Sequence, residues 1–111
     1  MRTLKFIVDG QIIKPDPSCD FSNLVPGSNE YLRMEFAFSP DWTGCVKVAT
    51  FWSMMGFEYQ PQLLNDGKSC MVPSEALAKR SFKVQVIGQS VKTSEKITTN
   101  KIEVVQNGGK V

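Results

Sequence analysis

The 111-residue chain contains no histidine. Imidazole is the general base of Ser-His-Asp and Cys-His nucleophile systems and a ligand in most catalytic zinc sites, so those chemistries are excluded. The sequence also lacks a Gly-x-Gly-x-x-Gly motif and a Walker loop, the usual glycine-rich cradles for nucleotide phosphates. We therefore expect no catalytic residues, no cofactor and no metal, and a protein that is not an enzyme.

Long apolar runs and closely spaced cysteine pairs are missing as well. No stretch of about 18 apolar residues is present, so no membrane span is predicted. The three cysteines, Cys19, Cys45 and Cys70, are odd in number and form no Cys-x-x-Cys motif, which disfavours a disulfide framework or a zinc knuckle. Reduced thiols suit a reducing compartment, and we expect the protein to be made or assembled in a cytoplasm.

What the chain does contain is alternation of apolar and polar residues. Tyr31–Phe38 alternates with period two, a short acidic turn with one large aromatic residue follows at Ser39–Gly44, and a second strand begins at Cys45. This pattern is typical of a sheet with one face on a core and the other in water. Within the turn, Trp42 is interpreted as a structural cap on the end of the sandwich, and an exposed ligand anchor is the alternative.

The same pattern recurs along the whole chain. Asp9-Gly10 predicts a type I′ hairpin turn, and the irregular segment 15–30 is expected to cross from one sheet to the other. Residues Pro73–Lys79 are the one helical candidate, and 97–105 reads as a single final strand. The prediction is an all-β, immunoglobulin-like antiparallel β-sandwich of about seven to eight short strands with one short helix; a small barrel is the alternative.

The domain organisation follows from this length. Residues 1–106 are predicted to form a single β-sandwich domain, because 111 residues leave no room for two cores. Residues 107–111, which include Gly108-Gly109, are predicted to be a flexible C-terminal tail or linker.

One segment suggests a binding surface. Residues 51–59 carry four aromatic side chains and two methionines around Gly56, and alternation buries only about half of such a set. The remainder is expected to form an exposed apolar patch for protein–protein contact. A hairpin whose tip folds over the end of the sandwich is the alternative. The predicted interaction residues are Trp52, Met54, Met55, Phe57 and Tyr59.

The charge is unevenly distributed. Residues 1–78 hold six basic and nine acidic side chains, whereas residues 79–111 hold seven basic and two acidic ones. A basic stripe from Lys79 to Lys101 that binds nucleic acid is the alternative, but only Phe82 interleaves with these lysines and it is predicted to face the core. Lysines that decorate solvent faces and strand edges are the favoured interpretation, and a nucleic acid partner is not expected.

Five short elements follow one another in an order that resembles a known family. They are Glu35–Ser39, Asp41-Trp42, Met71–Pro73, Phe82–Gly88 and Thr98–Val104. Over residues 30–106 this order is similar to the β-sandwich attachment and structural modules of phage tail, baseplate and head-fibre proteins. The resemblance implies a non-catalytic virion component, assembled in the bacterial cytoplasm, that docks onto other virion proteins.

Two further options remain open at the level of sequence. The first is a small phage-encoded inhibitor that binds a host or defence protein, for which a compact domain with an aromatic patch is equally suited. The second concerns assembly, because a virion component could form a homo-oligomer with closed symmetry.

Overall fold

The structure, a computed structural model, describes residues 1–106 and divides them between two β-sheets. Sheet I has the strand order β2-β1-β3-β6. Sheet II has the order β5-β4-β7, and both β8 and β9 pair with β7. The strands are β1 (Arg2–Asp9), β2 (Ile12–Pro15), β3 (Leu32–Phe38), β4 (Cys45–Trp52), β5 (Gln62–Leu63), β6 (Ser69–Met71), β7 (Ser81–Ser90), β8 (Lys96–Thr98) and β9 (Ile102–Val105). This arrangement confirms the predicted all-β sandwich, with nine strands; the predicted tail, 107–111, lies outside the described residues.

The core lies between the two sheets and is built from the alternating apolar rows. In sheet I, Phe6 and Phe36 are register partners whose rings stack with centroids 5.6 Å apart. In sheet II, the Phe51 and Phe82 centroids lie 6.1 Å apart. Most side chains of the inward rows predicted from the alternation are buried: Leu4, Phe6, Val8, Leu32, Met34, Phe36, Phe82, Val84, Val86 and Val104. Phe38 and Ile102, which were also predicted to face inward, are partly buried and pack against this core.

The first hairpin differs from its prediction by one residue. Asp9 pairs with Ile12, so the two central turn residues are Gly10 and Gln11, not Asp9 and Gly10. Gly10 has a φ of 59°, and Gln11 is not among the residues with positive φ. A single positive φ at a leading glycine is the pattern of a type II′ turn, which joins twisted antiparallel strands as well as type I′ does.

The connection between β2 and β3 was expected to cross between sheets, and this expectation is wrong. Both strands belong to sheet I, where β3 pairs in parallel with β1, from Arg2 opposite Leu32 to Val8 opposite Phe38. A parallel neighbour has to start from the same end of the sheet, so the chain needs a long return connection. That requirement explains the length of the segment, and it adds one parallel pair to an otherwise antiparallel sandwich.

The crossing between sheets occurs at the short turn after β3. The strands β3 and β4, which follow each other directly in sequence, lie in opposite sheets and do not pair. A 3₁₀ turn, Pro40–Trp42, occupies this connection. Trp42 is fully buried, so the chain is drawn across the end of the sandwich as it changes sheets.

The last strand is interrupted by a β-bulge. Ile87 pairs with Thr98 and Val84 with Ile102, so two residues of β7 face three residues between β8 and β9. The predicted strand 97–105 is therefore divided in two. Within the bulge, Asn100 accepts a hydrogen bond at Oδ1 from the Ile13 N–H (2.9 Å) and donates its own N–H to the Gln11 carbonyl (3.1 Å). The bulge thereby ties the β2 edge of sheet I to sheet II.

Candidate functional site

The segment that follows β4 forms a tight hairpin. The Ser53 N–H donates to the Phe57 carbonyl (2.7 Å), and the Tyr59 N–H donates to the Phe51 carbonyl (2.8 Å). The Ser53 hydroxyl accepts hydrogen bonds from the N–H groups of Met55 (3.2 Å) and Phe57 (3.0 Å). Gly56 adopts a φ of 89°, a conformation that a side chain would strain. These bonds hold the tip in one conformation and place both methionines at its end.

The five residues predicted to bind a partner separate into two groups. Met55 is 94% exposed, Phe57 is 67% exposed and Met54 is 46% exposed. Tyr59 is only 9% exposed and belongs to the core, although its ring also meets Phe57 edge-on at 5.8 Å. The structure thus brings Met54, Met55 and Phe57 together on the surface and places Tyr59 beneath them.

Trp52 lies apart from this group on the outer face of sheet II. Its Nε1 donates to the Thr50 hydroxyl (3.1 Å), and the Lys101 Nζ lies 3.6 Å from the centroid of its ring. Stacking between a lysine and an indole is a cation–π contact that shields the aromatic face. Trp52 is half-buried as a result, and it contributes less free apolar surface than Met55 or Phe57.

An open groove lies between the hairpin and the chain that enters β7. Its volume is about 800 Å³, within the range of sites that receive a ligand or a side chain of a partner. We call it the Met55 groove, and it is lined by Ser53, Met54, Met55, Phe57, Tyr59, Glu75, Ala78, Lys79, Arg80 and Ser81. One wall is therefore apolar and is formed by the hairpin side chains, including both methionines. The other wall carries charged side chains.

The charged wall follows a helix shorter than predicted. Helix α1 spans Ser74–Leu77, a single turn, whereas the sequence predicted Pro73–Lys79. The buried Gln106 explains where the helix stops, because its Nε2 donates to the Leu77 carbonyl (3.0 Å) and to the Lys79 carbonyl (2.8 Å). The Gln106 N–H also donates to the Arg80 carbonyl (2.6 Å). These three bonds satisfy carbonyls at the helix end that a continued helix would have used.

The predicted basic stripe does not form one continuous surface. Lys79 and Arg80 line the Met55 groove, and Lys83 is the cross-strand partner of Glu103 in sheet II. Lys92 follows the far end of β7, whose ten residues extend about 30 Å, and Lys96 pairs with Gln89 close to that end. The sequence alone does not show that these lysines lie at opposite ends of sheet II, because their positions depend on the direction in which β7 runs.

Trp42 is a structural residue, and the alternative of an exposed ligand anchor is wrong. Its side chain is fully buried, and its Nε1 donates to the Gly10 carbonyl (2.9 Å). A Cβ atom at Gly88 would lie 2.8 Å from two carbons of the Trp42 ring. The indole therefore packs directly onto the backbone of β7 and closes that end of the sandwich.

Among the titratable groups, the buried thiol of Cys70 has a structural role. Burial raises the pKa of the Cys70 thiol to about 12, which keeps it protonated and unreactive. Within residues 1–106, no three His, Cys, Asp or Glu side chains converge in a way that could hold a metal ion. A second cavity of about 490 Å³, near Gly10, Asp41, Cys45 and Lys96, lies at the opposite end from the Met55 groove.

Comparisons with known proteins add no family to this description. No protein-family model, no curated protein and no solved structure matches the chain. Among the described residues, no helix has the length and apolar character needed to cross a membrane.

Proposed function

We propose that this protein is a non-catalytic structural component of a phage particle that docks onto a neighbouring virion protein through the Met55 groove. The observation that carries the proposal is the cluster of Met54, Met55 and Phe57, which is exposed on a hairpin held in place by hydrogen bonds. A contiguous exposed apolar cluster on a small domain is typical of a protein-binding surface. The phage assignment is supported by the order of sequence elements between Glu35 and Val104.

The properties of the cluster favour a protein partner over a small molecule. Methionine side chains adjust to irregular apolar shapes, and an exposed phenylalanine beside them supplies a rigid contact. The groove is open to solvent along its length, so a segment of another chain can lie in it. A docking module requires no reaction, in keeping with a sequence that contains no histidine.

The first experiment asks whether the protein belongs to the particle. Phage particles purified on a density gradient from the host that carries this sequence would be examined by mass spectrometry. We expect the chain at a stoichiometry of several copies per particle. Its absence from clean particles, together with a soluble host protein bound one to one, would instead assign it as an inhibitor of that host protein.

The second experiment tests the surface. The Met55→Ser/Phe57→Ser variant should lose attachment to particles that lack the wild-type chain, while its free energy of unfolding stays within about 0.5 kcal/mol of wild type. The matched control is Ile12→Ser/Val91→Ser, since those side chains are 57% and 67% exposed and lie elsewhere. Equal attachment of both variants would exclude the hairpin as the docking surface.

Light scattering on the purified chain addresses assembly. A stable trimer or a larger ring is expected of a component that is built into a particle with closed symmetry. A monomer at all concentrations would direct attention to the host partner instead.

A further inference from the structure

The Met55 groove has a cationic wall. Lys79 and Arg80 are both exposed and both line the groove. Glu75 lines it too, yet the ion pair found within residues 1–106 joins Lys5 to Glu35, and none joins Glu75 to Lys79 or Arg80. The two cations are therefore available to carboxylates of a bound chain.

The backbone that carries these two cations is fixed before any partner arrives. Gln106 is 2% exposed, and it donates to the carbonyls of Leu77, Lys79 and Arg80. A wall held by three hydrogen bonds loses little backbone freedom on binding, so more of the interaction energy appears as affinity.

Addition of a partner strand to the neighbouring sheet edge is disfavoured. Trp52 bridges to Glu58 and Ala49 pairs with Gln62, so two residues of β4 face three on the edge, and Pro61 lies within this bulge. Proline has no N–H to offer, and bulges interrupt the ladder that an added strand would continue. Recognition at the groove is therefore expected to use side-chain contacts and not an added strand.

A second copy of this chain fits the groove poorly. In a two-fold symmetric dimer whose axis passes through the groove, each groove would face the same groove of the other copy, and the two Lys79–Arg80 walls would lie together. Repulsion between like charges opposes such a contact, whereas acidic groups complement it.

We propose that the Met55 groove receives an acidic segment of the partner, in which one large apolar side chain is flanked by carboxylates. The apolar side chain packs against Met54, Met55 and Phe57, and the carboxylates pair with Lys79 and Arg80. This inference rests on the docking function proposed above and specifies the chemistry of the docked segment.

The test uses a displayed library of random 12-residue peptides, selected on the purified full chain. We expect the selected peptides to share a large apolar residue with aspartate or glutamate nearby. Their dissociation constants should rise about tenfold or more on Lys79→Glu/Arg80→Glu, since hydrogen bonds to charged groups contribute at this level. Affinity should also fall as salt increases.

A matched control separates local charge from net charge. The Lys92→Glu/Lys96→Glu variant changes the net charge by the same amount at the far end of sheet II, and it should bind the selected peptides like wild type. Selected peptides that are neutral or basic, a failure to select any, or equal losses in the two variants would each overturn the inference.

The two proposals fail in different ways. If Met55→Ser/Phe57→Ser abolishes attachment to particles but the selected peptides carry no acidic residues, docking stands and the acidic segment is wrong. If attachment survives that substitution, the docking surface itself is wrong, whatever the peptides show.

Discussion

The two ends of the sandwich place their large side chains in opposite ways. At the end where β3 crosses to β4, Trp42 is buried and its indole N–H is satisfied by the Gly10 carbonyl. At the end where β4 turns back, Met55 and Phe57 project into solvent from a hairpin that is closed by backbone hydrogen bonds. Hydrogen bonds hold both ends, but only the first buries its largest aromatic side chain in the core. A small domain can thus leave one apolar cluster free for a partner when the opposite end is closed by its own residues.

The largest expected effect breaks the closed end. Trp42→Ala should lower the free energy of unfolding by about 3–5 kcal/mol, because it leaves a cavity and removes a buried hydrogen bond. Trp52→Ala is the matched change, and it should cost much less because that ring is only partly buried. Urea denaturation of both variants checks the comparison, and similar losses would show that the two tryptophans are equivalent.

Gly88→Ala should have the next largest effect. The new methyl group would lie 2.8 Å from the Trp42 ring, so the indole has to move, at a cost of about 1–3 kcal/mol. In a Trp42→Leu background the same substitution should cost less, since the smaller side chain leaves room. Additive losses in the double variant would argue against direct contact between the two positions.

A smaller effect is expected on the outer face of sheet II. Lys101→Met removes the cation from the Trp52 ring and should cost about 0.5–1 kcal/mol, the usual contribution of an exposed cation–π pair. Lys101→Arg should keep most of this stability. Denaturation at low and high salt would separate the contact from general charge effects, and an Arg variant as weak as the Met variant would contradict the assignment.

The smallest effect concerns acid, at the connection between β2 and β3. Hydrogen bonds from the Ser22 hydroxyl and N–H lower the pKa of the Asp20 carboxyl from its usual 3.8. Because the pKa is lowered in the folded state, the ionised Asp20 carboxyl stabilises the fold above about pH 4, and this stabilisation is lost as the pH falls through the folded-state pKa. Carboxyl chemical shifts recorded by NMR should titrate below 3.8 in wild type and move back toward it in Ser22→Ala. An unshifted Asp20 in wild type would refute the prediction.

Much of the fold could be read from period-two patterns, and the pairing of strands could not. Leu4, Phe6 and Val8 alternate with polar neighbours, so the inward face of β1 was predictable from local sequence alone. Which strand lies beside β1 depends on contacts between residues about 30 positions apart. The parallel partner Leu32–Phe38 and the crossing at Trp42 therefore differ from the prediction.

The candidate site was predictable in part for the same reason. Residues 51–59 contain more aromatic and methionine side chains than one face can bury, which indicated that some would be exposed. Alternation did not distinguish the exposed Phe57 from the buried Tyr59, because the β-ladder is irregular there. The charged wall of the groove is held in place by hydrogen bonds from Gln106 to the end of helix α1. These bonds join distant parts of the chain, so local sequence did not predict them.

The parallel pairing of β1 with β3 has a consequence for folding kinetics. The hairpin of β1 and β2 can close within microseconds, because its partners are adjacent in sequence. Sheet I is complete only when β3 pairs with β1 and β6 pairs with β3. Each of these steps closes a long loop, and the conformational entropy of that loop is lost before the new strand contacts form. We expect refolding in milliseconds to seconds, typical of sandwiches dominated by non-local pairs. Stopped-flow fluorescence of Trp42 in a Trp52→Phe variant would report when the second sheet closes over the first.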